Sequence, residues 1–289
     1  MIGFLNVYKP QGISSAAVVG KIKKQFNLKK VGHMGTLDPL ACGILPIAIG
    51  KATRMFDYFL NKQKQYVVIA EFGYETASLD LGTDAINKTD FIPTFNEVKN
   101  ACTTFLGKIE QIPPIYSAKN INGEKAYNLA REGKVVELKA CIVEIFNFEC
   151  LEQLSEKSFK FVINCSSGTY VRSLIRDLAY KLNSLATVTF LERSETGLFN
   201  KQNSIELNKL LTLNSLSDCL INIEELFKTF TCVNVSDIDF YKLKNGLCVE
   251  LSNNKLDNNV VFVKKDRDLL GVANVINGKL KLKTYLLED

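Results

Sequence analysis

Asp38 is the first acidic residue of the chain. It stands in the run Gly32-His33-Met34-Gly35-Thr36-Leu37-Asp38-Pro39-Leu40-Ala41-Cys42-Gly43-Ile44-Leu45-Pro46. Glycines on either side let backbone come close to a ligand without side-chain obstruction. Pro39 biases Asp38 toward an extended conformation, so its carboxylate is presented from a stiff loop instead of a helix face. Taken alone, an Asp before Pro in such a loop is a turn residue, so its chemistry must be argued from context.

Other chemistries are poorly supported. Gly50-Lys51-Ala52-Thr53 looks like the end of a phosphate-binding P-loop, but Leu45 stands where the motif needs its first Gly and Ala52 where it needs Ser or Thr. No G-x-G-x-x-G run opens a helix, so a dinucleotide site is not indicated. Eight cysteines occur with no C-x-x-C pair, and His33 is the single histidine. Neither zinc nor a disulfide framework is expected; buried, reduced thiols are. Taken alone, His33 reads as a hydrogen-bonding loop residue.

Charge points toward a polyanion. The first 37 residues hold six lysines and no acid, and through residue 64 there are ten Lys/Arg against two acids. The remainder is slightly acidic, 26 against 29. A one-sided basic segment suits nucleic acid, although a solvated helix face would look the same. The opening Met1-Ile2-Gly3-Phe4 runs into a strand-like stretch without the zones of a signal peptide. The most apolar window, 40–49, contains Pro46 and falls far short of the ~20 residues that span a bilayer. A soluble, cytoplasmic protein with no membrane contact is expected.

The elements that must position Asp38 follow from periodicity. Residues 2–8 read as a strand, and Ser14 or Ser15 caps a helix with Val18, Val19, Ile22 and Phe26 inward. That leaves Lys21, Lys23 and Lys24 mostly outside. A short apolar strand follows the Asp38 loop, and Ala52, Met55, Phe56 and Phe59 fit the inner face of a second helix. Residues 66–70 form a further strand. Thr94 with Glu97 makes a capping box before a helix carrying Val98, Cys102 and Phe105. Strands are expected over 135–165, with Phe159, Phe161, Ile163 and Cys165 on one face, then a break at Gly168 and a helix with Leu174, Ile175, Leu178 and Leu182 inside. Irregular alternation without a repeating βαβ unit favours an α+β fold on a mixed, largely antiparallel sheet. From residue 232 the texture changes to short strands and turns such as Asn277-Gly278, so residues 1–231 and 232–289 are read as a main domain and a small all-β module.

The Asp38 run strongly resembles the signature of the TruB family of tRNA pseudouridine synthases, whose G-x-L-D-P Asp is catalytic. Four further segments match in order: Lys9-Pro10-Gln11-Gly12-Ile13-Ser14-Ser15; Lys64-Gln65-Tyr66; Gln111 to Ala118 with Gly123 to Gly133; and Cys165-Ser166-Ser167-Gly168-Thr169-Tyr170-Val171-Arg172. The resemblance covers about residues 2–200, and more weakly the tail resembles a PUA module. One departure is Ala77 where the family usually has Asp, in Thr76-Ala77-Ser78-Leu79-Asp80.

The resemblance implies a pseudouridine synthase domain followed by a PUA-like RNA-binding module, acting without a cofactor. The expected substrate is the uridine at position 55 in the T-arm loop of tRNA, flipped out to reach Asp38. Asp38 either attacks C1′ or removes the C2′ proton. Arg172 is expected to hold the Asp38 pKa down, with Asp80 behind it. Tyr66 is expected against the base, Tyr170 and Leu191 on the pocket wall, His33 against RNA and Lys9 against phosphate. A monomer with no obligate protein partner is expected. The rivals are a non-catalytic tRNA-binding or folding chaperone of the same fold and a sugar-cleaving hydrolase acting on a small nucleoside.

Overall fold

A computed structural model describes residues 1–59, 63–117, 119–121, 123–132, 134, 138–226, 231–251, 260–266 and 268–287. Ala118 and Gly133 of the family-like segment, and residues 135–137 of the expected strand-rich stretch, lie outside them.

The long run Cys42–Ile49 is apolar at nearly every position and buried throughout. Such a strand must be covered on both faces, and it is. Leu45, Ile47 and Ile49 join the main core with Leu5 and Val7, whereas Ile44 and Ala48 join a second cluster with Phe4. The sheet containing it has its main path in the order 205–206, 3–9, 42–49, 186–196, 64–72, 158–165, 141–153, 107–111. Most neighbours are antiparallel; 42–49 with 186–196 and 3–9 with 205–206 are parallel. The α+β expectation therefore holds.

Helices Ser15–Gln25, Phe95–Thr103 and Val171–Lys181 cover the main-core face. Their caps follow from sequence: Ser14 accepts from the Ala17 N–H, and Thr94 with Glu97 completes a reciprocal capping box. The 159–165 alternation is also as expected, with Phe159, Phe161, Ile163 and Cys165 fully buried. The segment Gly50–Phe59 differs. It is a 3₁₀ helix, with three residues per turn, so Ala52, Met55 and Tyr58 share the inner face while Phe56 is turned out to 38% exposure.

The C-terminal residues form a five-stranded sheet in the order 232–234, 260–265, 268–276, 279–285, 249–250. Asn277 and Gly278, both with positive φ, turn the hairpin. In addition to the expected strands, this region holds the helix Asp237–Lys244. Its apolar pattern is weak, but Ser236 caps it, acids fill its first turn and lysines its last, which favours a short helix electrostatically. Phe262 and Val272 of this sheet, with Leu286 just beyond its last strand, pack with Phe4, Ile44, Ala48 and Met55 on the second face of the large sheet. Cys232 and Cys248 are exposed, contrary to the expectation of buried thiols. No helix among the described residues is long and apolar enough to cross a membrane.

Candidate active site

The loop bearing Asp38 is fastened on both sides. Ser15 Oγ, buried under the loop, accepts from the Leu37 N–H at 2.8 Å and donates to the Leu37 carbonyl at 3.0 Å. Beyond Asp38, the Pro39 carbonyl accepts from the Gly12 N–H at 2.8 Å and from Lys9 Nζ at 3.2 Å. Lys9 is fully buried, and its ammonium also donates to Pro10 and Ile13 carbonyls at 2.9 and 2.7 Å. Burial lowers its pKa to about 8. Lys9 thus ties the loop together and presents no charge to a phosphate, which corrects the sequence expectation. Lys21, Lys23 and Lys24 do stand exposed on the first helix.

A second cation sits beneath the loop. Arg193 is fully buried and donates to the carbonyls of Ile44 at 2.8 Å, Gly35 at 3.2 Å and Thr36 at 3.4 Å. Close approach makes this possible. Gly43 adopts φ +107°, and a Cβ there would lie 2.2 Å from the Arg193 carbonyl oxygen.

Arg172 reaches Asp38 from the opposite side. Its Nη2 lies 2.9 Å from Asp38 Oδ2 and its Nη1 3.3 Å from Asp80 Oδ2. The guanidinium also donates to the Ser78 carbonyl at 2.6 Å and the Tyr116 carbonyl at 2.9 Å. Asp80 is itself held by Ser78 Oγ at 2.6 Å and the Gly82 N–H at 2.9 Å, both donating to Oδ1. Ser78 and Thr83, whose hydroxyls are 3.0 Å apart, brace this turn beside Ala77. Burial pushes the Asp38 carboxyl above the usual carboxylate range, and the Asp80 charge adds to the rise; Arg172 pulls the other way. The expected sign of the Arg172 effect is right, but burial outweighs it.

Two cavities meet at this pair. The larger, about 260 Å³, is lined by residues including Thr36, Asp38, Lys64, Tyr66, Tyr170 and Leu191. The smaller, about 120 Å³, is lined by residues including Gln11, Leu40, Asp80, Leu81 and Phe190. Asp38, Arg172 and Leu191 border both. Tyr66 is almost fully buried; burial pushes its pKa up to about 12 against the opposing effect of Arg193, so the phenol keeps its proton at neutral pH. Gln111 brackets the Tyr170 backbone, accepting from its N–H at 2.8 Å and donating to its carbonyl at 3.1 Å.

Asp38, Tyr66, Arg172, Asp80, Tyr170 and Leu191 are therefore brought together. His33 lines neither cavity. It pairs with Ile47 on the edge of the large sheet, and burial with the nearby Arg193 lowers its pKa, so the ring is neutral. Arg193, Ser15 and Lys64 were not singled out from sequence. Lys64 was visible in the Lys64-Gln65-Tyr66 match and Ser15 closed the Lys9-to-Ser15 match, but nothing local marked Arg193.

This geometry offers a partly buried carboxylate, a guanidinium beside it and a protonated phenol on one cavity wall. Such a site can carry nucleophilic or base chemistry on a ligand that enters between them. A family model described as TruB family pseudouridylate synthase (N terminal domain) matches residues 23–171. The chain is 39% identical to tRNA pseudouridine synthase B of Clostridium novyi (strain NT), over 99% of this chain and 100% of that one. It is 36% identical to the protein of the same name from Ehrlichia ruminantium (strain Gardel), over 97% and 98%. A solved structure of an H/ACA RNP bound to a substrate RNA containing 2′-deoxyuridine matches with TM-score 0.72 at 20% identity, over 99% of this chain and 85% of that one, a likeness of fold. By the family match and the full-length relatives, this chain belongs to the TruB family of pseudouridylate synthases.

Proposed function

We propose that the chain isomerises a uridine to pseudouridine in the T-arm loop of tRNA, at position 55, with Asp38 as the catalytic carboxylate. The observation that carries this reading is the Asp38–Arg172 pair at the junction of two cavities, in a chain whose full-length relatives are tRNA pseudouridine synthases. The uridine flips out of the loop to enter the site. Asp38 then attacks C1′ or takes the C2′ proton, and the freed base turns and rejoins through C5. Neither route changes oxidation state, and no cofactor is needed.

Arg172 keeps enough of the Asp38 carboxyl ionised against burial, and Asp80 with two carbonyls fixes the guanidinium. Tyr66 and Leu191 hold the base by packing, and the protonated Tyr66 hydroxyl is available to move a proton at C5. The exposed lysines of Ser15–Gln25 meet tRNA phosphates. Residues 232–289 act as a PUA-like module on the acceptor stem. The protein works as a monomer in the cytoplasm, without an obligate protein partner.

The test is to incubate the protein with an unmodified tRNA transcript and map pseudouridine by carbodiimide labelling and primer extension. One new stop in the T-loop is expected. Tight binding without a stop would favour a non-catalytic RNA-binding role, and release of free uracil would favour a hydrolase.

A further inference from the structure

Lys64 opens the strand Lys64–Phe72 two residues before Tyr66, so both side chains leave the same face, and both line the larger cavity with Asp38. Its ammonium stands against the catalytic loop: a Cβ on Gly35 would lie 3.8 Å from Lys64 Nζ and 3.6 Å from Arg193 Nη1. Asp38 is the single carboxylate among the residues lining that cavity, and Arg172 pairs with it. Cys165, across the strand pair from Lys64, is a buried thiol with its pKa pushed up to about 11, so it supplies no negative charge. No carboxylate among the described residues forms an ion pair with Lys64. Burial and the neighbouring Arg193 lower its pKa to about 8, which still leaves it mostly charged at neutral pH. A half-buried cation in the cavity wall without a counter-ion is less favourable in the empty site than once an anion enters.

On the reading proposed above, the reaction itself makes such an anion. When the C1′–N1 bond breaks, its electron pair goes to the base, and N1, O2 and O4 of uracil share the charge. C1′ meanwhile gains a bond from Asp38, or C2′ loses its proton to Asp38. When C5 joins C1′, the bond to Asp38 breaks or the proton returns to C2′. The C5 hydrogen leaves as a proton and N1 takes one up, so product and substrate have the same atoms. We infer that Lys64 is a further catalytic residue, its ammonium meeting the detached uracil and holding the negative charge while the base turns. Arg193 acts as a positioning residue, fixing the Gly35 and Thr36 carbonyls beside it.

This assignment rests on the proposed isomerisation, and single-turnover kinetics separate the two. Wild type, Lys64→Met and Lys64→Arg are compared at saturating tRNA carrying either uridine or 5-fluorouridine at the target position. Formation of the carbon-linked product is followed. Lys64→Met is expected to slow the uridine reaction about 100-fold, the scale of losing one donor to a developing anion. The loss should fall below about tenfold with 5-fluorouracil, which bears negative charge more easily, and tRNA affinity should stay within about threefold. Lys64→Arg, charged throughout, should recover most of the rate. Equal losses on both bases would overturn the assignment, as would a loss confined to affinity with a salt slope smaller by about one, the mark of a phosphate contact. If wild type itself made no pseudouridine, the underlying reading would fall and this assignment with it.

Discussion

Asp38 titrates under opposed influences: burial and the Asp80 charge favour its neutral form, and Arg172, with a smaller effect from Lys9, favours the carboxylate. Activity that needs the carboxylate falls as pH drops through this raised pKa. The acid limb of kcat/KM should therefore lie above the ordinary Asp range of about 3.9. Asp80→Asn removes a like charge, which makes Asp38 easier to ionise. Its limb should move toward acid while kcat falls, because Arg172 loses one anchor. A pH–rate series on both proteins checks this, and an unmoved or alkaline-shifted limb would contradict it. At this scale Asp38, Tyr66 and Arg172 were legible because the residues around them form recognisable runs. Arg172 also breaks a local rule, placing a cation in the first turn of Val171–Lys181, where acids are favoured. Lys9 was misread because its neighbours are carbonyls, which a sequence does not display as partners. Arg193 left no mark, since its carbonyl partners lie 149 to 158 residues away.

The elements work as a clamp on one loop. The first strand and helix hold Leu37 and Pro39, and the Ala186–Thr196 strand supplies Arg193 from below. Ser15→Ala would leave the Leu37 N–H and carbonyl buried without this partner, at a cost of about 1–3 kcal/mol. Thermal melts should show Tm lower by a few degrees, about the shift that free energy gives in a chain of this size, and kcat should fall more than KM rises. Unchanged kcat with a lowered Tm would mean that the clamp serves stability alone. Strong caps and long apolar runs made most elements legible. Gly50–Phe59 was not, because a 3.6-residue period and a three-residue period agree at Ala52 and Met55 and part at Phe56.

For the whole molecule, the C-terminal sheet does more than follow the large one. Phe262, Val272 and Leu286 complete a core whose other side is Phe4, Ile44 and Met55. Arg54 donates to the Tyr285 carbonyl at 3.0 Å, and Lys283 lies over the Tyr58 ring. Phe262→Ala, at a site 1% exposed, should cost about 3–5 kcal/mol and lower Tm of a single calorimetric transition. Two separate transitions in the wild type would contradict a shared core. The change of texture near residue 232 coincides with the first strand of the C-terminal sheet, Cys232–Asn234. The docking was not visible in the sequence, because Phe4, Ile44 and Ala48 belong to strands apolar on both faces, and the second face gives no sign of what covers it.

The central claim is that Asp38 performs the chemistry in a site that binds tRNA independently of it. The most direct measurement compares wild type with Asp38→Asn, scoring pseudouridine in a tRNA transcript alongside tRNA affinity. The account predicts T-loop pseudouridine with wild type, none with the variant, and affinities within about threefold of each other. Pseudouridine formed by Asp38→Asn at the wild-type rate would contradict it.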